Sequence, residues 1–406
     1  MKISLSEISR LLPIVKRRIG AKTIAFVEKI FSSDKLCKDV FGKNYGRKVL
    51  LCGIPEAFGK KIIPKYHSNF TETYSAALAF DRLGYSVDCT SRTKRGIDYT
   101  GYDIVFGING NAFMGAFSAD KKVKPLRIFY SVGAETCYNY RVTSSRNRDF
   151  HSRHGFWLLG SNRYIPGDSR NYYEANFSDA VITLGDSHVN RQFLEEDSAT
   201  GKYRMLPAFY FPVCKSVEKK DFNKCKRHIL WFGSSGMIHK GLDIAIDFAV
   251  ENPDVVLHVC GGNRQEREFW NYYNPIIKNR ANIVMHGFVD IESQDFAAIL
   301  NQCGILLNPS ISESGAVSVL NVLGNGVLMP VYSRGTGLDL SAVGIEVEDV
   351  TYDSFSKVLH AVLEMDDKDV EEKALAAHKL VKERYTLERY QENMYGILKE
   401  IIEKRD

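Results

Sequence analysis

The sequence predicts an α/β protein of two doubly wound, Rossmann-like domains facing a central cleft, with an amphipathic helix before them and helices after. Three observations carry this. Short apolar runs, several ending near glycine, alternate with helix-like stretches between residues 48 and 212. The alternation stops at a polar, lysine-rich segment, 213–227, and restarts at 228. From about residue 353 to 404 every segment reads as helix. At about 100–200 residues per domain, the 406 residues suffice for two cores. The expected divisions are a basic helical segment over 1–47, a first domain over 48–212, a second over 228–385 and a terminal helix over 386–406.

The elements follow in order. Residues 3–31 place Ile8, Leu11, Leu12, Val15 and Ile19 at helical spacing, with Arg10, Lys16, Arg17 and Lys22 largely off that stripe and Pro13 as a break. Such a helix lies on an anionic membrane surface or packs on the body. KVLLCGI (48–54) reads as a buried strand. A Gly/Pro loop follows, then a helix from Asn69 to Leu83 closed by Gly84. YSVDCT (85–90), YDIVFGI (102–108), LRIFYSVG (126–133) and AVITLG (180–185) read as strands, with a loop over 131–155 and a helix near 187–196. In the second half, HILWFGSSG (228–236), VVLHVCGG (255–262), NIVMHGF (282–288), GILLNPS (304–310) and GVLMPVY (326–332) are strands with helices between them. Strand–helix–strand repetition implies parallel sheets, and the cleft between the halves is the expected ligand site.

Composition narrows the function classes. Hydrophobic residues make up 44% and charged residues 25%, so the chain is globular. The net charge is +5, and residues 1–30 carry all of it, with seven Lys/Arg against two Glu. The neutral remainder argues against nucleic acid as a partner. No apolar run reaches the ~18–20 residues of a membrane span, and no signal peptide is read at the N-terminus. The eight cysteines form no C-x-x-C pair, which fits reduced thiols in a cytosol better than disulfides or zinc. His151 and His154 lack an accompanying Cys or carboxylate cluster and read as surface or pocket histidines. Sequences for a P-loop and for a G-x-S-x-G nucleophile elbow are missing. Asp367–Asp369, the one Asp-x-Asp, sits in the polar helical tail, so no metal or cofactor is expected.

The second half carries the chemistry. FGSSGMIHKG places a glycine loop, Gly233, Ser234 and Ser235, before Lys240–Gly241 at the head of a helix. A cation there suits a leaving phosphate. PSISESGAVSVLNVLGNGVLMPV places Glu313 in a loop after a strand. Ser314 and Gly315 then lead into a helix whose first turn is Ala316–Val317–Ser318. Amides at that N-terminus suit a diphosphate or sugar oxygen, and Gly315 admits a ligand to the backbone. The structural alternatives are a surface lysine and a first-turn acid.

In this ordered set, over residues 228–345, the chain resembles retaining glycosyltransferases of the two-Rossmann-domain (GT-B) type, family 4. The resemblance implies that Glu313 holds donor-sugar hydroxyls and Lys240 the diphosphate. It puts Gly262, Asn263, Gly287 and Phe288, at strand ends, near the nucleotide base. The family's second Glu, which binds ribose, falls on Asn321 here, and the glycine-loop Arg is replaced by Ser234, Ser235 and His239. The first half would bind the acceptor. Gly53, Asn109 and Asn111 border the cleft there, and Glu135 stands near a position where relatives carry His and would act as a base or hydroxyl acceptor. The basic stretch Arg141, Arg146, Arg148, His151, Arg153 and His154 faces phosphate or is a solvated helix face. Tyrosines at 138–140 and 172–173 can stack on sugar.

The implied activity is metal-independent, retaining transfer of a hexose-type sugar from a nucleotide sugar to a saccharide or lipid-linked acceptor. The implied setting is surface polysaccharide assembly in the cytoplasm, peripheral to the membrane through residues 1–31. Two alternatives stand: a non-catalytic sugar- or nucleotide-binding relative, and a sugar-nucleotide 2-epimerase.

Overall fold

The computed structural model describes residues 35–405 apart from 60–62, 64, 66, 120–123, 162–169, 197–199, 215–216 and 263. The basic helix expected over 3–31 lies outside the described residues. The first lobe holds β1 (Leu36–Cys37), β2 (Arg47–Gly53), α1 (Ser68–Arg82), β3 (Tyr85–Ser91), β4 (Ile104–Gly107), α2 (Asn111–Met114) and β5 (Leu126–Ser131). It continues with α3 (Thr136–His154), α4 (Arg170–Phe177), β6 (Ala180–Leu184), α5 (Ser187–Glu196) and β7 (Tyr203–Leu206). Its sheet runs β1-β3-β2-β4-β5-β6-β7, parallel except for the β1–β3 pair. After a linker and the short α6 (Phe222–Cys225), the second lobe holds β8 (His228–Gly233), α7 (Leu242–Glu251), β9 (Val256–Gly261) and α8 (Arg267–Ile277). It then adds β10 (Ile283–Gly287), α9 (Gln294–Gln302), β11 (Ile305–Asn308), α10 (Val317–Asn325), β12 (Met329–Ser333) and β13 (Ile345–Val347). This sheet, β10-β9-β8-β11-β12-β13, is wholly parallel. Strands such as Val49–Cys52 and Ile305–Asn308 are buried throughout, as parallel sheets covered on both faces require.

In each sheet the winding reverses once, between β2 and β4 in the first lobe and between β8 and β11 in the second. The loops that leave those strand ends diverge and open a crevice there, so both lobes have a crevice at the same relative position.

One departure from the sequence expectation matters. The segment read as a loop over 131–155 is a 19-residue helix, α3, opened by Glu135 and closed by Gly155 in the left-handed region. Its inward stripe is Thr143, Arg146, Asn147 and Phe150, three polar residues of four, so no apolar period betrays it. This helix leaves the first lobe and docks on the second. Arg146, with no side-chain exposure, pairs with the equally buried Asp243 of α7. Arg153 Nη2 lies 2.6 Å from Asp243 and its other nitrogen pairs with Asp247, which His154 Nε2 also meets at 3.0 Å.

The terminal helix stands where the sequence places it, and the structure adds what it packs on. α11 (Tyr352–Glu364) and α12 (Asp367–Arg384) cover the second lobe, but α13 (Leu387–Glu403) crosses back and packs on α1 of the first. Tyr390 OH meets Tyr130 OH at 3.0 Å, and Arg82 and Arg204 pair with Glu392 and Glu400. All eight cysteines are thiols, five of them buried.

Candidate active site

A cavity of about 470 Å³ lies in the cleft at the β8/β11 switch point. The second lobe supplies Gly233, Ser234, Ser235, Lys240, Gly262, Phe288, Asp290, Val317, Ser318 and Asn321 to its wall, and the first lobe and linker supply Lys65, His67, Ser68 and Phe211.

Local backbone chemistry places Lys240. Gly241 sits at φ 64, and a Cβ there would come within 2.5 Å of Pro309, so only glycine makes the turn into α7. The turn delivers Lys240, 6% exposed, to the cavity wall, and Trp231 Nε1 donates to its carbonyl at 3.0 Å. Its Nζ lies 2.7 Å from Glu313 Oε1, the same oxygen that accepts from Ser310 Oγ at 2.9 Å. The two residues expected to act on phosphate and on sugar therefore form one ion pair, in which Lys240 lines the cavity and half-buried Glu313 does not.

The loop around Glu313 is braced from several sides. His239, expected in place of the loop arginine, turns inward, and its Nε2 meets the Ser312 carbonyl at 2.8 Å. Ser312 Oγ donates to Asn139 Oδ1 of α3 at 2.9 Å, and the Glu313 amide donates to the Gly335 carbonyl. Gly315 is needed for lobe packing rather than ligand approach. At φ 63, its Cβ would lie 2.6 Å from Ala208. The Ala316 amide donates to Thr336 O, which leaves the first turn of α10 at Val317 and Ser318, without a side-chain cap, to face the cavity. Ser314 Oγ is buried and has no partner among the described residues.

Asn321 differs from expectation. It lines the cavity, but its Oδ1 accepts from the Phe211 amide at 2.8 Å, and one turn on, Asn325 Oδ1 accepts from Val213 and Cys214. Both asparagines tie the interdomain linker to α10. The glycine loop is also partly committed, because the Gly236 and Met237 amides donate to Glu266 at 2.6 and 2.9 Å. Gly262 (φ 81) and Gly287 (φ 69) make the turns at the ends of β9 and β10, and Phe288 follows the second turn, 79% exposed. Asn263 lies outside the described residues.

Most first-lobe candidates fall elsewhere. Glu135 caps α3, its carboxylate accepting from the Tyr138 amide at 2.8 Å. Burial raises its pKa, and it does not line the cavity. Asn109 accepts from Arg92, and Asn111 Nδ2 donates to Thr93 O, so both hold a surface loop. His151 stacks on Trp157 at 4.1 Å and His154 belongs to the ion cluster with Arg146 and Arg153. The polar face of a helix thus became an interdomain dock instead of a phosphate site. Gly53 packs on Thr73 beside a second, smaller cavity. Lys65, His67 and Ser68 were not anticipated. The signal available was the predicted helix start at Asn69, whose N-terminal turn follows the first strand's loop.

No protein-family model matches the chain, and no curated protein sequence is similar to it. Solved structures do share its fold. TarM of S. aureus is 14% identical over 72% of this chain and 54% of its own, at a TM-score of 0.51. This chain therefore spans little more than half of TarM. HepE of Anabaena, in complex with UDP-glucose, is 10% identical over 87% of this chain and 99% of its own, at 0.57. A glycosyltransferase of Rickettsia africae is 12% identical over 88% and 99%, at 0.55. At such identities the likeness shows the fold, and that fold is the two-lobed GT-B arrangement of these glycosyltransferases.

Proposed function

We propose that the protein is a glycosyltransferase that binds a uridine diphosphate sugar in the large cavity and passes the sugar, with retention, to a saccharide or lipid-linked hydroxyl. The observation that carries this is Lys240, on the wall of a switch-point cavity that also faces the first turn of α10, held at 2.7 Å by Glu313. Lys240 and the Val317 and Ser318 amides stabilise the departing diphosphate, and Glu313, once Lys240 turns to phosphate, receives hydroxyls of the donor sugar. Phe288 offers a ring for the base. The positive potential comes from the chain itself, so the reading assigns no metal. HepE and TarM were crystallised with UDP or UDP-glucose, which supports the choice of nucleotide.

Surface polysaccharide assembly on the cytoplasmic membrane face, reached through residues 1–31, belongs to the same proposal. Among the described residues no helix is long and apolar enough to cross a membrane. Thermal-shift titration with UDP and UDP-sugars, followed by NMR of the product anomer, tests the activity. Stabilisation by UDP with an inverted product would reject retention, and no response to any nucleotide would reject the donor site.

A second reading, a binding protein without turnover, draws on Asn321 being bound to Phe211 and on Glu266 occupying two loop amides. UDP-sugar binding with neither hydrolysis nor transfer would favour it. Conversion of the donor to its 2-epimer without acceptor would instead point to an epimerase.

A further inference from the structure

The first lobe has its own switch-point crevice, between β2 and β4, and a carboxylate stands in it. Glu72 lies on the inner face of α1, 3% exposed, and its Oε2 is buried with no hydrogen-bond partner among the described residues. It borders a cavity of about 10 Å³. The rim is half-buried Gly53, Asn69 and Thr73, and the buried side includes Tyr130 and Ile108. That volume admits one water-sized oxygen. A lone carboxylate oxygen facing such a hole is costly unless something donates to it.

The position relates this hole to the larger cavity. Ser68, four residues before Glu72 and so about 6 Å along α1, lines the 470 Å³ cavity to which Lys240 also contributes. We infer that the small cavity is an acceptor subsite, in which Glu72 Oε2 accepts a hydrogen bond from one hydroxyl of a polyol or sugar entering past Gly53. The inference rests on the transferase reading for the word acceptor, but not for the binding of a hydroxyl. Burial pushes the Glu72 carboxyl up to about 7, with the neighbouring Ser68 and Tyr130 hydroxyls pulling the other way. A group so poised responds to a donated hydrogen bond. Gly53 belongs to this subsite through its place on the rim.

The test uses the full chain labelled with [13Cδ]glutamate. The Glu72 carboxyl resonance is assigned by its loss in Glu72→Gln, or in Glu72→Asp should the first variant fold poorly. Glycerol, the smallest polyol probe, is expected to shift that resonance saturably while UDP leaves it in place. A resonance unmoved by glycerol assigns the hole to a trapped water and overturns the subsite. With UDP-glucose as donor, Glu72→Gln is expected to raise the half-saturating glycerol concentration at least fivefold and to change UDP release into water less than twofold. Equal glycerol dependence in parent and variant also overturns the subsite. A parent whose melting temperature ignores UDP and UDP-glucose sinks the transferase reading instead, and the glycerol titration still decides the subsite.

Discussion

Lys240 and Glu313 neutralise each other, so each variant has two effects. On the transferase reading, Lys240→Ala removes the cation assigned to the leaving group and is expected to lower kcat by about 10²–10³. It also leaves Glu313 with less compensation, so the ligand-free melting temperature falls. Steady-state kinetics and a thermal melt check both. Glu313→Gln keeps size and the Ser310 contact; calorimetry is expected to show UDP affinity within about twofold while turnover collapses. For Asn321 the structure changes the expectation from ribose contact to linker clasp. Asn321→Ala strands a buried Phe211 amide, which costs about 1–3 kcal/mol in urea denaturation. Weaker UDP binding in a variant of unchanged stability would return the residue to the nucleotide.

Among the elements, what sequence periodicity could reveal was the strands and the apolar-faced helices, because burial writes a period into them. The helix expected near 187–196 and the strands beginning at Tyr85, Leu126 and Ala180 stand where the pattern placed them. α3 escaped because ion pairs replace apolar contacts on its inward stripe, and β13 because three residues are too few for a period. Second-lobe residues of the cavity wall such as Gly233, Lys240 and Gly262 were legible since glycine and lysine mark turns and charges at fixed spacing. Lys65, Phe211 and Glu72 were not, because only the folded chain brings them to a cavity. One sheet feature bears a pH prediction. His228, His258 and His286 join across β8, β9 and β10, at 2.9 and 3.1 Å between ring nitrogens. Burial, then the flanking imidazoles, lower His258 to about 4. Because the unfolded chain takes up this proton near 6.5 and the folded one near 4, stability is full above the first value and falls as pH drops from 6.5 toward 4. His258→Phe is expected to flatten melting temperature against pH over that interval.

For the whole molecule, the ion cluster of α3 and α7 ties the first lobe to the second. Arg146→Met should cost about 3–5 kcal/mol by leaving Asp243 buried without that partner. The double variant with Asp243→Leu should recover part of the loss, and a denaturation cycle measures the coupling. With α3 docked, the linker held by α10 and α13 returned to α1, small-angle scattering is expected to show little change in radius of gyration on UDP binding. Deleting residues 1–31 is expected to reduce sedimentation with anionic vesicles and leave this body folded. Unfolding of the deletion protein would show the segment to be part of the body.

The return of α13 to the first lobe also has a consequence during synthesis. The ribosome makes β2 through β7 early, yet the first-lobe surface that α13 covers, α1 and Tyr130 included, stays bare until the whole second lobe has been translated. At about 5–20 residues per second, the nascent first lobe waits many seconds with that apolar face open to chaperones and to other nascent chains. Expression yield should therefore depend more on chaperone supply and translation rate than the stability of the finished fold would suggest.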